Sequence, residues 1–209
     1  MSDEASIRWA ADKLGVADPV VEKVWTGPNS AVYKIDGWFL KIGAGLSPEC
    51  ARLRWLNGRL PAPEVVAYGT LGEKDALVTT PVPGRSLGEL KQSLPVGDIV
   101  EMLASALRAF HNAETAGCPF KAAIPGNVLV HGDACLVNVM FHDDGTLGGF
   151  VDLGEMGVGD IEVDLSAAVW SLQYNVGPGH GLAFLRAYGR TSATSDDVGR
   201  LWAMYANRP

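Results

Sequence analysis

Over the first eighty residues, apolar side chains come in short runs broken by turn residues, the pattern of strands rather than helices. Residues 20–25 form one such run, which stops at Thr26-Gly27-Pro28-Asn29. Residues 31–35 and 38–42 form two more, joined by Asp36-Gly37. That dipeptide is a strong hairpin signal because both turn positions favour φ > 0. Residues 64–68 and 76–80 make a further pair, with Gly69 and Gly72 between them. Five short antiparallel strands are predicted. One helix interrupts them: Ser47 can cap it, Pro48 suits its first turn, Gly58 can end it, and Cys50, Leu53 and Leu56 recur at helical spacing.

After Pro81-Val82-Pro83-Gly84 the period changes. Residues 98–114 put Ile99, Leu103, Ala106, Leu107 and Phe110 on one helical face. A second strand-rich patch spans 128–152, and helices are expected over about 160–174 and 182–188. The fold class predicted is α+β, with a β-rich N-terminal lobe (1–81) and a helical C-terminal lobe (82–209) that carries a small hairpin. The hinge falls at about 80–84. Two lobes with a hinge imply a cleft, the default place for a ligand.

Composition narrows the partners. At 209 residues, 47% hydrophobic and 20% charged, the chain can bury a core without disulfides. Its 3 cysteines lie far apart, which suits a reducing cytoplasm. No apolar run reaches the ~18 residues of a membrane span, and Met1-Ser2-Asp3-Glu4 lacks the basic-then-apolar order of a signal peptide. Seventeen basic against 24 acidic residues give a net charge of −7. Nucleic acid is therefore not an expected partner, and a cationic small molecule is favoured. Nothing demands more than a monomer.

The most specific pattern is His131-Gly132-Asp133, four residues, then Asn138, followed by Val151-Asp152-Leu153-Gly154. Phosphoryl transfer needs a carboxylate to orient a hydroxyl and accept its proton, which suits Asp133. It also needs hard oxygen ligands for Mg2+, which suits Asn138 and Asp152. Lys41 lies within the apolar run Phe39-Leu40-Lys41-Ile42. Taken alone, such a lysine is commonly an edge-strand or snorkelling residue. Beside the catalytic-loop pattern it reads as the phosphate-holding lysine, with Glu49 as its partner. The turn before Ser30 could cover phosphates with its N–H groups and the Ser30 hydroxyl. The stretch 79–82 could meet an adenine edge through its backbone.

Those two motifs, with Gly157-Val158-Gly159-Asp160 and Asp164-Leu165, resemble the aminoglycoside phosphotransferase family, especially its 3′-phosphotransferase (kanamycin kinase) branch. Arg52-Leu53-Arg54-Trp55-Leu56, Phe110-His111-Asn112 and Cys118-Pro119-Phe120 extend the likeness over nearly the whole chain. The resemblance implies a protein-kinase-like fold. It also implies transfer of the γ-phosphate of ATP or GTP to a hydroxyl of an aminoglycoside-like molecule, with antibiotic resistance. By position, Asp133 would be the base, Asn138 and Asp152 the Mg2+ ligands, and Lys41 with Glu49 the phosphate clamp. Thr80 and Val82 would face the adenine, Asp164 would brace the catalytic loop, and His131 would be structural.

The departures fall on the acceptor side. Only Lys121 to Asn127 separates Phe120 from the catalytic strand, where the family carries a helical insertion. Glu155 follows Asp-x-Gly where the branch has arginine, and Arg208 stands near a terminus where it has acids. Glu155 is the candidate to replace part of the lost acidic charge. Two alternatives follow: a kinase of another hydroxylated metabolite, or a nucleotide-binding module without turnover. Gly84-Arg85-Ser86-Leu87-Gly88 matches a hydrolase nucleophile elbow, but prolines lie in its approach. Asp143-Asp144-Gly145 reads as a hairpin turn rather than a calcium loop.

Overall fold

The computed structural model describes residues 3–27 and 30–208, and they divide into two compact units. The first comprises residues 1–57 and 62–81; the second comprises 58–61 and 82–209.

In the first unit, helix α1 (Asp3–Leu14) precedes β1 (Val21–Thr26), β2 (Ser30–Ile35) and β3 (Trp38–Gly43). Helix α2 (Ser47–Leu56), β4 (Val65–Leu71) and β5 (Lys74–Thr79) follow. The strands form one antiparallel sheet in the order β1-β2-β3-β5-β4. Asp36 and Gly37 both take positive φ (47° and 92°), as the hairpin signal requires. Ala31, Tyr33, Ile35, Leu40, Ile42, Ala76 and Val78 share one buried face, covered by Ala10, Ile7, Trp9 and Leu14 of α1.

Helix α1 adds to the single helix expected for this lobe. Ile7, Ala10, Ala11 and Leu14 do recur at helical spacing, and the packing of Ile7, Trp9, Ala10 and Leu14 on the sheet carries the helix. The start of α2 also differs from expectation. Ser47 is its first helical residue, and Leu46 occupies the cap without a side-chain hydrogen bond. Asp75 of β5 takes over, accepting from the Leu46 N–H at 2.8 Å and from the Thr70 hydroxyl at 2.8 Å. Burial pushes the Asp75 carboxyl up, but these hydrogen bonds, with Tyr68 and the Ser47 N–H, outweigh it and hold it below its ordinary value.

The second unit begins with β6 (Arg85–Ser86), α3 (Leu87–Leu90) and α4 (Val96–His111). β7 (Val128–Val130), a 3-10 turn (Leu136–Asn138), β8 (Val139–Phe141), β9 (Leu147–Phe150) and β10 (Gly157–Gly159) come next. Helices α5 (Glu162–Val176), α6 (Gly181–Tyr188) and α7 (Ser195–Ala206) complete it. Strands β6, β8 and β9 form one small sheet, and β7 pairs with β10 in another. Ile99, Leu103, Leu107 and Phe110 of α4 are fully buried. Each such side chain contributes about 1.5–3 kcal/mol. Phe110 meets Phe150 edge-on at 4.8 Å and His131 at 5.7 Å, so α4 fixes the floor beneath the His131-Gly132-Asp133 loop.

The pairing of β10 with β7 and the presence of α7 go beyond the expected elements. Strand β10 has three residues, two of them glycine, too short and too poor in side chains to show a period. Helix α7 opens with a reciprocal capping box between Thr194 and Asp197. That Thr-x-x-Asp spacing was a legible start signal. The short stretch after Phe120 lies along β10, with Ala122 N donating to Val158 O at 3.1 Å and Asp160 N to Ile124 O at 3.0 Å. A Cβ on Gly126 would stand 2.2 Å from the Gly159 carbonyl, so only glycine fits there.

Candidate active site

Lys41 lies on an inner strand, opposite Val32 of β2 and Leu77 of β5, so it is not an edge lysine. Strand alternation turns it away from the face covered by α1. Its Nζ donates to Glu49 Oε2 of α2 at 2.7 Å, with only 22% and 11% of the two side chains exposed. The partner offsets what an isolated buried ammonium would cost. Ser30 opens β2, its carbonyl accepting from Gly27 N at 2.9 Å. Pro28 and Asn29 of the expected phosphate-covering turn lie outside the described residues. Thr80 donates its N–H to Glu64 O at 3.0 Å and accepts from Glu64 N on its hydroxyl at 2.8 Å.

In the second unit, Val82 packs over Gly149. The three-residue strand β7 delivers His131, Gly132 and Asp133. Asp164 at the start of α5, fully buried, accepts from two successive backbone N–H groups: His131 at 2.7 Å and Gly132 at 2.8 Å. Its Oδ2 also meets His111 Nε2 at 2.9 Å, and His111 Nδ1 meets the Tyr188 hydroxyl at 2.8 Å. A chain of buried groups from α6 through α4 to α5 therefore sets the loop's path. The His131 ring lies inside that path. Nε2 meets Val151 O at 3.0 Å, and Nδ1 accepts from Asp133 N at 3.2 Å, so each nitrogen has one role. Gly132 has φ +93°, and a Cβ there would come within 2.7 Å of Glu155 O. Glycine is required for both reasons.

Asp133 is about 30% exposed. Asn138 Nδ2 donates to its main-chain oxygen at 2.9 Å and to its Oδ2 at 3.1 Å. This turns the amide so that the Asn138 Oδ1 is left to act as a ligand. The Leu136 N–H is held by the Ser171 hydroxyl of α5 at 3.0 Å. Val151 N donates to Asn138 O at 3.0 Å, continuing the β8–β9 ladder and bringing Asp152 next to Asn138 along the backbone. Asp152 is exposed and takes φ +58°. That is a strained region for a non-glycine residue and recurs at functional sites.

Among the described residues no three His, Cys, Asp or Glu side chains cluster as a metal cage. One amide oxygen and one carboxylate nevertheless suit Mg2+, which usually binds through one or two carboxylates plus substrate phosphates and water. The donor set therefore fits the ion as a nucleotide companion.

Three neighbours of Asp133 were not foreseen as such. Tyr205 of α7 donates its hydroxyl to Asp133 Oδ1 at 2.5 Å. The Cys135 thiol donates to the same oxygen at 3.3 Å, and burial, with Asp133 beside it, pushes that thiol up to about 12. Arg208 lies 3.8 Å from the same oxygen and pairs with Glu155. Glu155 is thus already matched with a cation from the same chain. In the sequence His111 stands only within a resembling tripeptide, and no period links it to Asp164, 53 residues away. Ser86, the residue of the elbow-like pattern, forms a reciprocal capping box with Glu89 at the start of α3. Asp144 accepts from Thr146 N at 2.9 Å in the β8–β9 turn, as expected of a hairpin.

Known proteins bear on this geometry. The aminoglycoside 3′-phosphotransferase of Salmonella typhimurium is 23% identical over 239 aligned positions, covering 90% of this chain and 86% of that one. That of Niallia circulans is 26% identical, covering 94% and 96%. Both alignments run longer than the 209 residues of this chain, so these relatives carry internal residues that it lacks. The aminoglycoside phosphotransferase APH(3'')-Id of Streptomyces rimosus superposes with a TM-score of 0.75 at 21% identity over 96% of each chain. A second structure of that enzyme holds ADP and streptomycin. These likenesses give the protein-kinase-like α+β fold. The family model described as "Phosphotransferase enzyme family" matches residues 43–127 and 120–202, two segments that meet in the shortened stretch after Pro119. With most of its length matched and the His-Gly-Asp and Asp-x-Gly loops in the geometry above, the chain belongs to the phosphotransferase enzyme family.

Proposed function

We propose that the protein transfers the γ-phosphate of a nucleoside triphosphate, ATP or GTP, to a hydroxyl of an aminoglycoside, and so protects a cell against such drugs. The observation that carries this reading is Asp133. It is a partly exposed carboxylate on a loop held by two buried backbone hydrogen bonds to Asp164, with Asn138 locked beside it. The aminoglycoside acceptor rests on the relatives, one of which binds ADP and streptomycin. Net charge agrees, since −7 favours a polycation.

In this reading Asp133 orients the acceptor hydroxyl and takes its proton as the oxygen attacks phosphorus. Asn138 and Asp152 would hold Mg2+. Bound there, the ion supplies charge neutralisation at the phosphates. Lys41, oriented by Glu49, holds the nucleotide phosphates, and Ser30 adds a donor. Thr80 meets the adenine edge through its carbonyl, its N–H being engaged by Glu64, and Val82 through its backbone. Glu155 attracts an acceptor cation. Fixed donors and acceptors of this kind provide most of the catalysis in phosphoryl transfer. The protein works as a monomer, and its 3 scattered cysteines suit a reducing cytoplasm.

The test is transfer of labelled γ-phosphate from ATP or GTP to a panel of aminoglycosides. Asp133→Ala should lower kcat by about 10²–10⁴-fold, the usual range for a lost general base. Transfer at the wild-type rate in that variant would overturn the assignment. Nucleotide binding without transfer to any hydroxylated amine would leave a binding module instead.

A further inference from the structure

The end of α7 stands where an acceptor should be. An acceptor must offer Asp133 a hydroxyl; Tyr205 already does so, at 2.5 Å from Oδ1. An aminoglycoside must offer Glu155 a cation; Arg208 already does so. The same guanidinium lies over the Tyr205 ring at 4.8 Å and reaches to 3.8 Å from Asp133. Tyr205 on the last turn of α7 and Arg208 just beyond its cap present a hydroxyl and a cation side by side, the pairing that defines an aminoglycoside.

Two further donors crowd Asp133. Cys135 donates to Oδ1 and Asn138 to Oδ2. With Cys135 on the same oxygen, an incoming hydroxyl must compete with Tyr205 for Oδ1. Burial and its bond to Asp133 raise the Tyr205 phenol well above its usual value, so it remains a donor throughout the working pH range. Its ring rests on Trp170 of α5 at 5.0 Å, which holds it in this rotamer.

Resting on the reading of Asp133 above, we propose that Tyr205 and Arg208 act together as an internal acceptor mimic that selects the acceptor. Only a molecule that supplies both a hydroxyl to Asp133 and a cation to Glu155 replaces all that the α7 end provides. A neutral polyol satisfies Asp133 but leaves Arg208 on Glu155. Water is disfavoured at Oδ1 for the same reason, which limits wasteful hydrolysis. In that side reaction a water oxygen bonds to the γ-phosphorus, the bond to the β–γ bridging oxygen breaks, and the water proton goes to Asp133.

The experiment compares wild type, Tyr205→Phe and Arg208→Ala in two assays: acceptor-free ATP hydrolysis, and transfer to kanamycin and streptomycin. Each substitution should raise hydrolysis and lower the acceptor KM by about fivefold, the effect of removing one competing hydrogen bond or ion pair. Asp133→Ala on the Tyr205→Phe background should remove the added hydrolysis. Hydrogen exchange of residues 200–208 in the wild-type protein should speed up when kanamycin is added. Unchanged hydrolysis and KM in both variants would overturn the proposal. So would a drop in kcat at constant KM for Tyr205→Phe, which would make Tyr205 a residue that positions the base. Wild-type transfer that survives Asp133→Ala marks the separate failure of the reading beneath it.

Discussion

At the scale of single residues, the site depends on a few buried acceptors placed under backbone donors. Asp164 is the strongest case. Removing its carboxylate leaves the N–H groups of His131 and Gly132 without their acceptor in a buried place, and strips His111 of a partner. An unsatisfied buried donor costs about 1–3 kcal/mol. Asp164→Ala should therefore lower stability by about 3 kcal/mol or more, read as a shift in the urea midpoint at constant slope. A midpoint within error of wild type would show that the loop does not depend on this carboxylate. Asp164 was legible because its spacing after Asp-x-Gly resembles a known motif. His111 and Tyr188 were not, because their roles come from where α4 and α6 bring them.

At the scale of elements, α7 is attached by charge as well as by packing. Arg200 makes a two-pronged contact with Glu162 of α5 at 2.7 and 2.8 Å. Arg190 approaches the same carboxylate at 3.6 Å. The Arg200 hydrogen bond, with both cations, holds the Glu162 carboxyl below its ordinary 4.5 despite partial burial. A carboxyl lowered in the folded state stabilises it above the unfolded value, and that contribution fades as pH falls through the folded one. The melting temperature should fall more steeply below pH 4.5 in the wild type than in Glu162→Gln, and the two curves should converge in acid. Parallel curves would exclude this contact as the cause. The strands of the first unit were readable from their period and from Asp36-Gly37. Helix α2 was readable as well, but not its cap, because the cap comes from Asp75, 29 residues away.

At the scale of the whole molecule, charge and length bear on the acceptor. A net charge of −7 should draw a polycation by long-range attraction, which salt screens over ~8–10 Å. The KM for kanamycin should rise between 50 and 300 mM NaCl while the KM for ATP changes less. Equal dependence for both substrates would remove the field from the account. The relatives' alignments run longer than this chain, and the family model matches it in two segments that overlap at residues 120–127, just before β7. There the chain runs directly along β10, with Gly126 pressed against Gly159.

The sequence by itself determined the family, the α+β class, the strand pairs with local turns, and the His-Gly-Asp and Asp-x-Gly loops on which the proposed site rests. These are written in contiguous spacing and in periods of two or 3.6, which the backbone must obey wherever it folds. Only the tertiary structure decided that Asp75 caps α2, that His111 and Tyr188 stand behind Asp164, and that Tyr205 and Arg208 cover Asp133 and Glu155. Each of those contacts joins residues dozens of positions apart. Their energy depends on burial and on a fixed approach distance, and neither exists until the helices have packed.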